Sequence, residues 1–533
     1  MLKLFKGYFT RNCYKSLPVS IFLISLKKTV ILVIFLLFCL EISGCIEEDS
    51  NTPTDEVDLT IAYGQDIFNG FYPWTGFINQ QTLSINSNIF NSLVEFGERY
   101  QIRPALADYW NNPDNLTWRF HLRNDVTFHN GDVFSADDVK YSIELIKDDK
   151  NNSVYSYLTM VKEVNIIDNF TIDIVTGEPY PLLLNRLVYI FIISKENHEN
   201  VSNGIPIGTG AYRFSEYVKN KYLALERFED YWRQTPDVQK VTFQFFDDYK
   251  DQRMNFLKGD ADIIDSIEPT DYENLSKIAW VKIMPFTFNT VTYLGFNFIE
   301  NNPFRNVYVR QAVYHAIDIE DIIQNALDGY GDAASQFVTQ DIFGYNPEIT
   351  RVPYNLTIAR QYMRDAGHEE GFEITLDCRE SEVREKASQL IASQLSLINI
   401  TVDVNILSSS DFYSKISTRQ SLLYFFGWAT DSADAGEIFD NILRSADFEN
   451  GFGFSNFGNY SNERIDEIAT DISHNMDPME RLDQMKEGFS VAMDEVVCVP
   501  LYVLKGFCVL RDTFSLPIRA DGLLIIENVK SDS

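Results

Sequence analysis

The sequence predicts an α/β protein with at least two folded units. The chain has 533 residues, 45% of them hydrophobic and 14% aromatic, well beyond the length at which one core stops growing and a chain divides. Short runs in which apolar and polar residues alternate are interspersed with runs at helical spacing. The stretch 372–406 reads as strand, helix and strand with short joins, which implies a right-handed parallel crossover.

At the N-terminus, Lys27 and Lys28 precede the twelve-residue run Thr29 to Leu40, followed by Ile42, Ser43, Gly44 and Cys45. Twelve residues fall short of the roughly 20 that cross a hydrocarbon core but suit a signal-peptide h-region. Residues 1–44 are expected to be a lipoprotein signal peptide. Ser43-Gly44-Cys45 resembles a lipobox, in which Cys45 takes a diacylglyceryl group and becomes the mature N-terminus. Two acyl chains hold a protein at a membrane where one gives only marginal binding. Residues 45–56 are acidic and lack hydrophobic periodicity, as a flexible tether does.

In the body, Trp118, Phe120 and Leu122 alternate with Arg119, His121 and Arg123. With Asn124-Asp125 as a two-residue turn into Val126-Thr127-Phe128, this predicts a β-hairpin pairing His121 with Phe128. Ser135-Ala136-Asp137-Asp138 reads as a capping box opening a helix to about Lys147, with Val139, Ile143 and Ile146 on one face. Val309, Val313, Ala316 and Ile317 mark another helix, and Thr357 to Ala366 a third that closes on Gly367. Phe372 to Asp377 predicts a strand, Val383 to Ile398 a helix, and Ile400, Val402, Val404 and Ile406 a second strand. A further strand, Leu422 to Phe426, runs into Gly427-Trp428-Ala429-Thr430-Asp431.

The first 44 residues hold six basic side chains and one acid, leaving 39 basic against 76 acidic side chains, a net charge of −37. Such a surface repels nucleic acid, so no nucleic-acid partner is expected. Three cysteines follow Cys45: Cys378, Cys498 and Cys508. The apolar run Val499 to Phe507, broken by Lys505-Gly506, would bring Cys498 and Cys508 together as a disulfide if it formed a hairpin. No HExxH, GxSxG or P-loop occurs and the six histidines are scattered, so neither catalysis, nor a metal site, nor a cofactor is expected.

A series of ordered motifs spans almost all of the expected mature chain. They are Leu106-Ala107-Asp108-Tyr109-Trp110, the run Phe120 to Gly131, and Ser135-Ala136-Asp137-Asp138-Val139. Then come Gly208-Thr209-Gly210-Ala211-Tyr212-Arg213-Phe214, Asp230-Tyr231-Trp232, Leu257 to Asp262 and Val309-Arg310-Gln311-Ala312-Val313. In this order they resemble the family 5 extracellular solute-binding proteins, the dipeptide, oligopeptide and nickel binders. The resemblance implies a type II periplasmic-binding-protein fold, two α/β lobes joined by a hinge, with an extra subdomain in the first lobe. Lobe 1 is expected over 57–290 plus 500–533, with the subdomain at about 100–203, and lobe 2 over 295–490.

It also implies a monomeric, lipid-anchored receptor on the outer face of the cytoplasmic membrane. Such a receptor delivers short peptides to an ABC permease and its ATPase subunits. A nickel-chelate or oligosaccharide receptor of the same fold is the alternative, and a secreted hydrolase a remote one. Arg379 follows a strand and precedes a helix, a position that favours an anion; it matches the family's Arg that holds a ligand carboxylate, or else pairs with Glu380 or Glu382. Asp431 matches the Asp that binds a peptide α-amino group. Asp434 matches a second family Asp, although Ala435 replaces the usual Pro, and Trp428 either walls the pocket or fills core.

Overall fold

Two long antiparallel strands, Val281–Phe296 and Cys498–Arg511, run through the middle of the main sheet. The computed structural model describes residues 57–68, 70–74, 79–197 and 204–531; the expected signal peptide, Cys45 and the expected tether lie outside the described residues. Val281 to Thr287 pair with Arg511 to Lys505, the register shifts between Thr287 and Val291, and Val291 to Gly295 then pair with Val503 to Cys498.

Each half of this pair carries its own set of strands. Beside Val509 and Leu510 lies Ile263–Ile264, followed by Asp58–Tyr63, Lys240–Phe245, Tyr222–Arg227 and Tyr212–Val218. Beside Thr290 to Phe296 lies Leu423–Ala429, followed by Phe372–Arg379 and Ile400–Leu407. The sheet therefore serves two α/β lobes, the fold that the motifs imply.

The predicted strand, helix and strand form as a parallel unit. Phe372–Arg379 pairs in register with Ile400–Leu407, and helix Glu382–Ser396 joins them. The alternation works because Leu376 and Cys378 are buried on one side, while Ala387, Ile391 and Leu395 bring the helix onto the sheet. Burying a side chain such as Leu376 contributes about 2 kcal/mol. Both strands end their carboxyl termini together, at Arg379 and Leu407.

A separate four-stranded sheet, in the order 107–114, 117–122, 171–176, 161–168, is covered by helix Ala136–Asp148. The helix starts at the expected capping box, where the Ser135 backbone N–H donates to Asp138 at 2.9 Å. Its Val139, Ile143 and Ile146 are fully buried. The expected hairpin around Asn124-Asp125 does not form. Strand Thr117–Leu122 pairs instead with Ala107–Asp114 across the turn at 115–116, and with Thr171–Thr176. His121 accordingly stacks on Tyr109, with ring centroids 4.1 Å apart.

Two of the motifs hold one another. The His129 Nε2 lies 3.0 Å from the Gly210 carbonyl oxygen, and the Gly208 N–H donates to His129 Nδ1 at 3.3 Å. A Cβ on Gly208 would sit 2.0 Å from the Ile89 carbonyl oxygen, so the turn can approach the helix only without one. These residues build scaffold.

The disulfide between Cys498 and Cys508 is ruled out. Both lie in the single strand Cys498–Arg511, where ten residues at about 3.3 Å each separate them by about 33 Å. Both are free and buried. Lys505-Gly506 does not break the run because Lys505 still pairs with Thr287, just before the register shift, and the Phe286 ring packs over Gly506.

Candidate ligand cleft

Strand Leu423–Ala429 leads directly into the segment that carries Asp431. The main chain there is fastened from several sides. Tyr189 Oη donates to the Asp431 carbonyl oxygen at 2.8 Å, Asn185 Nδ2 to that of Ser432 at 2.7 Å, and Asn289 Nδ2 to that of Thr430 at 3.2 Å. The Ser432 hydroxyl donates to Glu437 at 2.6 Å. The position of Asp431 is thus set by residues about 140 and 240 positions away in the chain.

Asp431 borders a cavity of about 580 Å³ whose wall includes Tyr100, Tyr157, Tyr189, Phe288 and Asn289. The residue keeps an exposed surface, yet protein atoms crowd its carboxyl group. That desolvation, reinforced by Glu437 and opposed by Arg186 and Asn289, pushes its pKa up to about 6.

Arg379 ends strand Phe372–Arg379 and borders a second cavity of about 400 Å³. Phe288, Phe412, Tyr413, Phe425 and Phe426 supply aromatic walls, and Arg384 is a second cation in the lining. Among the described residues, neither guanidinium has a hydrogen-bond or ion-pair partner, so the Arg379 side chain does not pair with Glu380 or Glu382. Glu382 is spent on Lys386 at 2.8 Å. Phe288 lines both cavities, which therefore adjoin, one with a guanidinium and the other with a carboxylate.

The two remaining candidates lie elsewhere. Asp434 is buried, and Arg481 grips both of its oxygens, with Nη2 to Oδ1 at 2.7 Å. With the Gly436 N–H donating to Oδ1 at 2.8 Å as well, the Asp434 carboxylate already has its counter-charge inside the protein. In the structure it anchors the loop. Trp428 pairs with Val291 within the sheet and packs against the main core. Its neighbours Phe426, Gly427 and Ala429 line the Arg379 cavity, whereas Trp428 is not part of that lining.

Arg384, Phe288, Asn289 and Tyr189 were not singled out from the sequence. Arg384 carried a signal, a cation in the first turn of a helix where anions are favoured. The other three carried none, since only the tertiary fold brings them to residues 379–431. Among the described residues no group of three or more His, Cys, Asp or Glu could hold a metal ion, and no helix is long and apolar enough to cross a membrane.

The bacterial extracellular solute-binding proteins of family 5 match this chain over residues 101–450. Heme-binding protein A of Haemophilus influenzae is 25% identical over 457 residues, 79% of this chain and 83% of that protein. The dipeptide-binding protein of Escherichia coli is 23% identical over 442 residues, 76% of this chain and 82% of that protein. The solved structure of HbpA2 from Haemophilus parasuis superposes with a TM-score of 0.81 at 20% identity, covering 89% of this chain and 99% of that one. The chain belongs to the family 5 bacterial extracellular solute-binding proteins.

Proposed function

We propose that this protein is the extracytoplasmic capture subunit of an ABC importer and that it binds short peptides between Arg379 and Asp431. One observation carries this reading: a partner-free guanidinium and a carboxylate border two adjoining cavities separated by Phe288. A free peptide is a zwitterion with its charges at opposite ends. Arg379 can take the terminal carboxylate bidentately, and Asp431 the α-ammonium. The dipeptide-binding relative supports the same class. In this reading lobe 1 comprises 57–290 and 500–533 with the subdomain at about 100–203, and lobe 2 comprises 295–490. The register shift between Thr287 and Val291 is then the hinge, so closure moves Phe288 and Asn289 around the ligand.

The thermal shift produced by a dipeptide panel tests the assignment. A ligand at about 100 times its Kd adds roughly 2.7 kcal/mol to stability. Free dipeptides should raise Tm, while N-acetylated or C-amidated versions should do so only weakly. A panel without effect, with a shift from a nickel chelate, an oligosaccharide or heme instead, overturns the peptide reading. Attachment is read as a lipid anchor on Cys45; Cys45→Ser should release the protein from membranes, and a variant equally membrane-bound overturns that anchor.

A further inference from the structure

Arg384 stands where electrostatics alone would not put a cation. It lies in the first turn of the fifteen-residue helix Glu382–Ser396, beside the positive end of the helix dipole. It shares the 400 Å³ cavity with Arg379, and both side chains are partly buried. Burial first, and then the charge of Arg379, lower its pKa from the ordinary value. Acids are plentiful in this chain, with 77 against 45 bases, yet among the described residues none lines this cavity. The first-turn acids Glu382 and Glu385 are both exposed, outside the lining. Two like charges held together against aromatic walls, with no compensating anion, cost stability that a bound anion would return.

We propose that Arg379 and Arg384 together form a subsite for two carboxylates, so that the preferred ligand is a short peptide with a C-terminal Asp or Glu. This rests on the peptide reading above. Arg379 takes one carboxylate and Arg384 the other, each as a charge-assisted pair in a cavity whose Phe and Tyr walls limit screening. A peptide with a neutral C-terminal side chain supplies a single carboxylate for two guanidinium groups and leaves one cation uncompensated.

Calorimetric titration of the purified protein with Ala-Glu and with its neutral isostere Ala-Gln tests the subsite. The wild type should bind Ala-Glu at least about 10-fold more tightly, and Arg384→Gln should bring that ratio close to 1. Equal binding of the two peptides by the wild type overturns the subsite and leaves the peptide reading standing. An unchanged ratio in Arg384→Gln overturns the role of Arg384. The wild-type comparison needs no variant and stands even if Arg384→Gln does not fold. Binding of neither peptide, nor of any other dipeptide, overturns both the subsite and the peptide assignment.

Discussion

Arg481 and Asp434 form a two-pronged ion pair in the interior, with each side chain 4% exposed. Arg481 projects from helix Pro478–Asp494 and also donates through Nε to the Ile472 carbonyl oxygen at 2.7 Å. Asp434 lies three residues beyond Asp431 and caps the turn at Gly436. The pair therefore fastens the segment after strand Leu423–Ala429 to the helical layer behind it. That rigid support keeps the backbone under Asp431 in place.

Removal of one partner leaves the other charge buried and alone, at a cost of about 3 to 5 kcal/mol. Arg481→Ala and Asp434→Ala should each lower the denaturation midpoint accordingly. The double variant should lose much less than the sum, because neither charge then remains unpaired. Additive losses in a double-mutant cycle would contradict this account.

His129 provides a pH-dependent test of the scaffold. Burial, followed by a smaller effect of Arg213, lowers its pKa to about 4, with the Gly210 carbonyl pulling the other way. The ordinary value is about 6.5, so the unfolded chain takes up the proton first. Stability is present above pH 6.5, is lost as pH falls towards 4, and changes no further below that. The loss amounts to at most about 3 kcal/mol. His129→Gln should lack this component, visible as a smaller drop in Tm between pH 7 and pH 4.5 than the wild type shows.

Much of the fold was legible because its signals are local. The alternation in 372–376 and 400–406 and the stripe between them require no knowledge of partners. Pairing was not legible: the residues of 117–122 specify a strand but not that Ala107–Asp114 is its neighbour, and the four-stranded sheet decides that choice. The long strand Cys498–Arg511 is not legible locally because Lys505-Gly506 looks like a turn in isolation, whereas the Phe286 ring fills the space over Gly506. At the cleft, the placement of Arg379 and Asp431 at and just beyond the ends of strands was readable from the local pattern. Asp434 was not, since only tertiary packing supplies Arg481, 47 residues away.

Thiol chemistry checks the strand directly. Cys378, Cys498 and Cys508 are free and buried, and burial raises the pKa of the Cys498 and Cys508 thiols, which further lowers their reactivity. In the native protein all three should resist alkylation. After denaturation without reductant all three should be alkylated, and mass spectrometry should find no peptide linking Cys498 to Cys508.

Asp431 connects affinity to pH with a definite sign. In the ligand-free cleft its pKa stands at about 6, mainly because the surrounding protein desolvates the carboxylate, with Glu437 adding repulsion. An ammonium group bound there favours the ionised form and pulls the value down. Below pH 6 the free protein holds a proton that the complex releases, so affinity for a free dipeptide should fall as pH decreases from about 6.5 to 5. The slope of log affinity against pH should approach 1 at the acid end. Above pH 7 the dependence should flatten until the peptide amine itself titrates. Asp431→Asn should bind on the order of 10²-fold more weakly at pH 7.5, as expected for a ligand charge buried without its partner. It should also lose the acid slope, whereas removal of a merely structural aspartate would weaken binding and leave that slope in place. Calorimetry at pH 5, 6 and 7.5 on both proteins separates the two cases, and an unchanged slope in Asp431→Asn would remove Asp431 from the ligand's ammonium site.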